Sequence, residues 1–284
     1  MVQLVKANRW VQIGHTLLDL DVAGEVATLW LNRPDARHAT GRAFWEDLPR
    51  AAGALRDSPE VRAVVVAARG QDFTVGLDLK ELGANLLAED CAGSPAERNA
   101  ARYHVVRAMQ GAVNSIADLP MPVIAAVHGY CLGGGLNLIS ACDVRLAARS
   151  AIFSVRETKV AIVADLGSLQ RLPRIIGAGH VAEMAFTGMD VDAEHAGAIG
   201  LINRVLEDQD ALLAAAYDLA EQIAANSPLA VRGTKAVLAA NDGRTVAEGL
   251  EFVANWNSLY LRSDDLAEAM RAFVERRKPT FTGR

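Results

Sequence analysis

Glu157 and Asp165 stand eight residues apart, and Asp165 lies among apolar or small neighbours, Ala161, Ile162, Val163, Ala164, Leu166 and Gly167. Carboxylates taken out of water are harder to ionise, which makes them usable proton donors and acceptors near neutral pH. Twenty residues before Glu157 comes Asn137, directly after Gly133-Gly134-Gly135-Leu136. Here an apolar run, Pro122 to Val127, breaks into small residues and then into a helical pattern, Leu136 to Ala141. That is a strand, a tight turn and a helix start. Glycines let backbone N–H groups approach a ligand, and the helix start adds partial positive charge. A second glycine turn, Gly76-Leu77-Asp78, also runs into a helix. Two N–H groups from separate turns can converge on one carbonyl oxygen and stabilise an enolate, which suits a thioester or a related substrate. The residues alone leave plainer uses open. The glycine triplet also suits close strand–helix packing, and Asp165 before Leu166-Gly167-Ser168-Leu169 could cap the following helix.

The elements that must position these groups follow from pattern. Thr16 to Val22 and Val26 to Leu31 read as strands joined by a hairpin at Ala23-Gly24-Glu25. Arg33, Arg37 and His38 cluster on the loop after them, as phosphate contacts or as solvated charge. Phe44 to Arg56 has helical spacing, and Val61 to Ala68 is a β-branched run of the kind found in strands buried on both faces. Asp78 stands where a helix start favours a carboxylate. Ala84 to Gly93 reads as a mobile loop, and Ser94-Pro95-Ala96-Glu97 as a capping box opening a long amphipathic helix to about Ala117. Val144 to Ala148 and Ile152 to Val155 read as short strands, and Leu169 to Ile176 as a helix closed by Gly177. Composition shifts after Leu206, and helical patterns follow at about 210–226, 228–240, 244–261 and 264–277. The expected organisation is a β/α core over 1–206 and a helical region over 207–284. Apolar faces on the latter suit covering by further copies of the chain.

Composition excludes several classes. A chain of 284 residues with 51% hydrophobic content can bury a large core, and a net charge of −5 gives no general attraction to nucleic acid. A phosphate-bearing ligand would need local cations. Three cysteines, Cys91, Cys131 and Cys142, make no disulfide framework and have no zinc-ligand spacing with histidines, so a cytoplasmic setting is expected. Neither a signal-peptide pattern, a membrane span nor a peroxisomal address is read from the sequence, and no metal, dinucleotide or nucleophile motif is found. His128, at the end of the central strand, reads as structural.

Jointly, several motifs resemble the crotonase, or enoyl-CoA hydratase/isomerase, superfamily. They are Leu31-Asn32-Arg33-Pro34, Phe73 to Leu79, Pro122 to Asp143, Gln170-Arg171-Leu172-Pro173 and Ala272 to Pro279. The resemblance implies an α/β fold with a β/α spiral core and a C-terminal helical trimerisation region, assembled as a trimer or a hexamer. It also implies a coenzyme A thioester as substrate, with no separate cofactor. Carried over by position, the N–H groups of Leu77 and Gly134 would form the oxyanion hole. Arg33, Arg37, Ala39, Asp78 and Leu79 would lie near the nucleotide and pantetheine, and Phe273 and Arg276 near the adenine and 3′-phosphate, across a subunit boundary. The stretch Ala164 to Pro173 and the pair Trp256-Asn257 look most like the Δ3,5-Δ2,4-dienoyl-CoA isomerases, which have acids at the Glu157 and Asp165 positions. Those isomerases usually carry aspartate where this chain has Asn137, whereas enoyl-CoA hydratases carry glutamate there. Hydration and acyl-CoA binding without turnover stay open as alternatives.

Overall fold

The computed structural model describes residues 9–11, 17–87 and 94–284. Strand β1 (Arg9–Val11) pairs antiparallel with β2 (Leu18–Ala23), which turns through Gly24-Glu25 into β3 (Val26–Leu31). Gly24 has φ +65°, as a two-residue hairpin loop requires. Helix α1 (Arg42–Arg56) and β4 (Ala63–Ala68) follow. Next come α2 (Leu79–Leu87), α3 (Pro95–Ala117), β5 (Val123–Val127), β6 (Tyr130–Leu132) and α4 (Gly134–Ser140). Then β7 (Val144–Ala148), β8 (Ile152–Ser154), α5 (Ser168–Ile175), α6 (Ala178–Thr187), β9 (Val191–Asp192), α7 (Ala193–Ala198) and β10 (Arg204–Leu206) complete the β-containing part. Four helices end the chain, α8 (Gln209–Ala224), α9 (Pro228–Ala240), α10 (Val246–Tyr260) and α11 (Asp264–Glu275).

The large sheet has the order β1-β2-β3-β4-β5-β7-β10, parallel from β3 onward, and a smaller sheet has the order β6-β8-β9. Alternation explains why β4 and β5 read as continuous apolar runs. Val64, Val66 and Ala68, with Val123, Ala125 and Val127, join the larger core with α1 and the end of α3. Ala63, Val65 and Ala67, with Ile124 and Ala126, face the other way onto α8. Both faces are covered, so neither needs polar residues. Leu212, Ala216, Ala220 and Ala224 form the stripe of α8 that meets the sheet. The boundary expected at 206/207 therefore falls just before a helix that completes the core of the sheet, whereas α9 to α11 bury few residues.

Several sequence expectations change. The segment expected as a loop from Ala84 is helical through Leu87, because α2 runs on, while 88–93 lie outside the described residues. The capping box opens α3, with Ser94 N–H donating to Glu97 at 2.6 Å and Glu97 N–H to Ser94 Oγ at 3.3 Å. Burial of α3 is confined to its end, at Ala112, Val113 and Ile116. Gly177 does not close α5. Ile176 turns extended there, and Gly177 instead starts α6. Strands β1, β6, β9 and β10 and helices α6 and α7 are too short or too weakly periodic to have been read.

Candidate active site

Thr40 aligns the Gly76-Leu77-Asp78 turn. Its N–H donates to Gly76 O at 2.7 Å and its carbonyl accepts from Asp78 N–H at 3.1 Å. In this parallel bridge Leu77 N–H points off the ladder. Gly76 has φ +83°, and a Cβ on it would come 2.7 Å from Leu132 O and 3.5 Å from Gly134 N. The two glycine turns thus lie against each other. Gly133, at φ +49°, precedes α4, of which Gly134 is the first residue. Among the described residues neither Leu77 N–H nor Gly134 N–H meets a protein acceptor.

Glu157 opens a 3₁₀ turn, Glu157–Val160, just after β8. Its carboxyl carbon lies 3.6 Å from where a Gly133 Cβ would be, which places the acid beside the Gly133-Gly134-Gly135 turn. Oε1 accepts from Asn137 Nδ2 at 3.0 Å, while Oε2 is buried with no hydrogen-bond partner among the described residues. Asn137 is 1% exposed. Its Nδ2 also donates to Gly133 O at 3.1 Å, and its Oδ1 accepts Ser168 N–H at 2.7 Å. The start of α5 is therefore capped by Asn137, and the capping use of Asp165 left open by the sequence falls away.

Asp165 is half-buried on the segment between the 3₁₀ turn and α5. That segment is fastened through its backbone: Asp165 O accepts Gln110 Nε2 at 2.7 Å, and Leu166 O accepts Arg171 Nη1 at 3.5 Å. Burial pushes both acids above the ordinary carboxylate range. For Glu157, N–H groups of its own turn and Asn137 offset part of that rise, and the nearby Asp165 adds to it. For Asp165 its own N–H gives the main relief. Two acids with raised pKa values, one of them beside a glycine turn that offers an unoccupied N–H donor, can take a proton at one carbon and give one to another.

The basic loop offers less free charge than its composition suggests. Arg33 Nη1 donates to Ala39 O at 3.3 Å and pairs with Asp78 Oδ2 at 3.2 Å. Asp78 also caps α2 by accepting from Lys80 and Glu81 N–H, each at 3.2 Å, and Leu79 beside it is exposed. Arg37 Nε pairs with Asp72 Oδ2 at 2.6 Å and stacks over Tyr130 at 5.0 Å. Although burial opposes its ionisation, Arg37 and the Tyr130 N–H hold the Asp72 carboxyl below its usual range. His38 is buried, neither ring nitrogen has a hydrogen-bond partner in good geometry among the described residues, and burial lowers its pKa. His128 is buried too and bonds Gly70 O at 3.0 Å, a structural place. Phe273 is exposed on α11, and Arg276 follows that helix in the left-handed region. No hydrogen bond or ion pair among the described residues joins them to the 33–39 loop. The chain end docks at Arg62, before β4, through Phe281 O at 2.7 Å, whereas the Asp72–Asp78 loop follows the other end of that strand.

Sequence reasoning missed Asp72, Tyr130, Thr40 and Gln110. Only Gln110 left a usable signal, since Gln110 and Asn114 recur at helical spacing on α3 and both meet the Asp165 segment, Asn114 through Arg171. Among the described residues no group of His, Cys, Asp and Glu side chains could hold a metal ion, and no helix is long and apolar enough to cross a membrane.

The sequence profile described as enoyl-CoA hydratase/isomerase matches residues 21–284. The chain belongs to the enoyl-CoA hydratase/isomerase family. As a member it is an acyl-CoA enzyme with the crotonase-type α/β fold and a C-terminal helical region. It is 40% identical over 256 residues to the mitochondrial Δ3,5-Δ2,4-dienoyl-CoA isomerase of Dictyostelium discoideum, covering 90% of this chain and 87% of that one. The peroxisomal protein of the same name from Arabidopsis thaliana is 39% identical, with 89% and 91% covered. Among solved structures, a putative enoyl-CoA hydratase from Streptomyces coelicolor superposes with a TM-score of 0.87 at 31% identity, over 100% of both chains.

Proposed function

We propose that this family member isomerises 3,5-dienoyl-CoA to 2,4-dienoyl-CoA. The observation that carries the reading is the pair of acids, Glu157 and Asp165, both partly buried, both with raised pKa and neither paired to a cation among the described residues. The shift removes a proton at C2 and adds one at C6, positions too far apart for one fixed carboxylate. Leu77 and Gly134 N–H receive the thioester oxygen, so that charge developing on it in the dienolate meets two donors already in place. Glu157, beside the Gly133 turn, is the group nearer the thioester and takes the C2 proton. Asp165, protonated at the start, delivers a proton to C6.

Hydration is the poorer reading. A second carboxylate to activate water is absent at Asn137, and both ends of that amide are already engaged by protein groups. Coenzyme A enters as part of the substrate. Arg33, Arg37, Ala39, Asp78 and Leu79 are assigned to its nucleotide and pantetheine parts, and Phe273 and Arg276 to the adenine end in a neighbouring copy. The apolar exposure of Leu250, Leu259, Phe273 and Val274 supports a trimer or hexamer covering α10 and α11. A cytoplasmic setting rests on the thiols of Cys131 and Cys142, which are free. The test is an ultraviolet assay of the purified protein. Growth of conjugated 2,4-dienoyl absorbance from 3,5-dienoyl-CoA, without loss of enoyl absorbance from 2-enoyl-CoA, is the expected result. Loss of enoyl absorbance alone would overturn the reading.

A further inference from the structure

Asn137 touches both segments that carry the acids, and its chemistry leaves it one orientation. An amide has one acceptor end and one donor end. Oδ1 faces a backbone donor, Ser168 N–H, at 2.7 Å, so Nδ2 faces two acceptors, Gly133 O at 3.1 Å and Glu157 Oε1 at 3.0 Å. The reversed amide would set oxygen against oxygen twice and nitrogen against N–H. We infer that Asn137 is a positioning residue that fixes which oxygen of Glu157 moves the proton and holds the two acids in register. It ties off Oε1 and leaves Oε2, buried and without a partner, as the basic atom. Through Ser168 it also clamps the chain three residues after Asp165. The inference rests on the isomerase reading.

Charge, more than shape, is what asparagine contributes. A carboxylate of the same size could still accept Ser168 N–H, but it would face Gly133 O without a donor and set a second negative charge against Glu157. Such a pair shares its protons, and its last ionisation moves up in pH. The other groups around Glu157 leave room for that effect. Asp165 is the acid that acts on it from the segment before α5. Arg156 on the preceding residue turns to Asp190 and Ser154, Lys159 lies along Gly188, and Arg171 of α5 faces Leu166 O and Asn114. On α6, Glu183 is exposed. No described cation is therefore placed to absorb an added charge at position 137.

Two variants of the whole chain test this, Asn137→Asp and Asn137→Ala, with the pH profile of kcat/KM for 3,5-dienoyl-CoA as the readout. In Asn137→Asp the acid limb should move up by about one pH unit or more, as a like charge at contact demands. In Asn137→Ala, kcat should fall roughly tenfold or more with KM little changed, as expected when a proton-transfer group loses its alignment. An acid limb in Asn137→Asp equal to that of the unaltered protein would overturn the inference, as would an unchanged kcat in a folded Asn137→Ala. A merely structural residue would shift the melting temperature and leave the pH limb in place. If the unaltered protein does not isomerise the substrate, the isomerase reading fails by itself. The positioning role of Asn137 is then judged by infrared titration of the Glu157 carboxyl, assigned by its loss in Glu157→Gln. A midpoint raised in Asn137→Asp supports it, and an equal midpoint contradicts it.

Discussion

Glu157 and Asp165 are close enough for one charge to act on the other, yet the chain holds them by different means. Glu157 is fixed by its side chain, with one carboxylate oxygen bonded to a buried amide and the whole group set against the Gly133 turn. Asp165 is fixed by its backbone, through Gln110 from α3 and Arg171 from α5 on the carbonyls of residues 165 and 166, and its carboxylate has no side-chain partner among the described residues. On the proposed mechanism, a group that meets the carbon next to the thioester needs a set distance from the N–H groups of Leu77 and Gly134, which the Gly133 turn supplies. A group serving a carbon further along the acyl chain needs reach. Anchoring at the backbone fixes its base and leaves the carboxylate to its own N–H.

Removing either acid should have the largest effect. Glu157→Gln and Asp165→Asn are each expected to lower kcat by about 10²–10⁴-fold with KM little changed, the range for lost general acid–base catalysis, in the dienoyl absorbance assay. Near-normal turnover in one of them would reduce the pair to a single acid. Disturbing what the two share comes next. Gly76→Ala puts a methyl 2.7 Å from Leu132 O at φ +83°, so it should displace Leu77 N–H. It should cost about 10²-fold in kcat, together with about 1–3 kcal/mol of stability measured by urea unfolding.

Gln110→Leu separates the two acids with a smaller effect. It removes the donor on Asp165 O and should lower isomerisation roughly tenfold while leaving Glu157 untouched. The least effect is on stability. Burial raises the folded-state pKa of Asp165, so the native state binds more protons than the unfolded one between the two pKa values. That destabilisation grows as pH rises through this window and persists above it. Asp165→Asn should thus melt higher than the unaltered protein at neutral pH, and the gap should close below about pH 4, the usual range for an unfolded aspartate. A gap that widens with acid would contradict the sign.

Much of this arrangement was legible in the residues. The apolar runs of β4 and β5 announced strands covered on both faces, and the two glycine turns announced backbone brought close to backbone. Glu157 and Asp165 stood out by type and by apolar company. What stayed hidden were partnerships across long separations, which local pattern does not encode. Arg37 with Asp72 and Arg33 with Asp78 are ion pairs that a basic loop, read as phosphate contacts or as solvated charge, did not announce. The amide of Asn137 reads in sequence as a lost carboxylate, and only its three bonds show what it holds. Likewise α8 continues the helical composition of the chain end, although its alanine stripe packs into the sheet.

The most direct test of the division between the acids is hydrogen exchange in D₂O, followed by NMR of 3,5-dienoyl-CoA. Asp165→Asn should fail to isomerise yet still exchange the C2 hydrogen, because Glu157 and the N–H groups of Leu77 and Gly134 remain. Glu157→Gln should lose both. Exchange at C2 that survives in Glu157→Gln and disappears in Asp165→Asn would contradict the account.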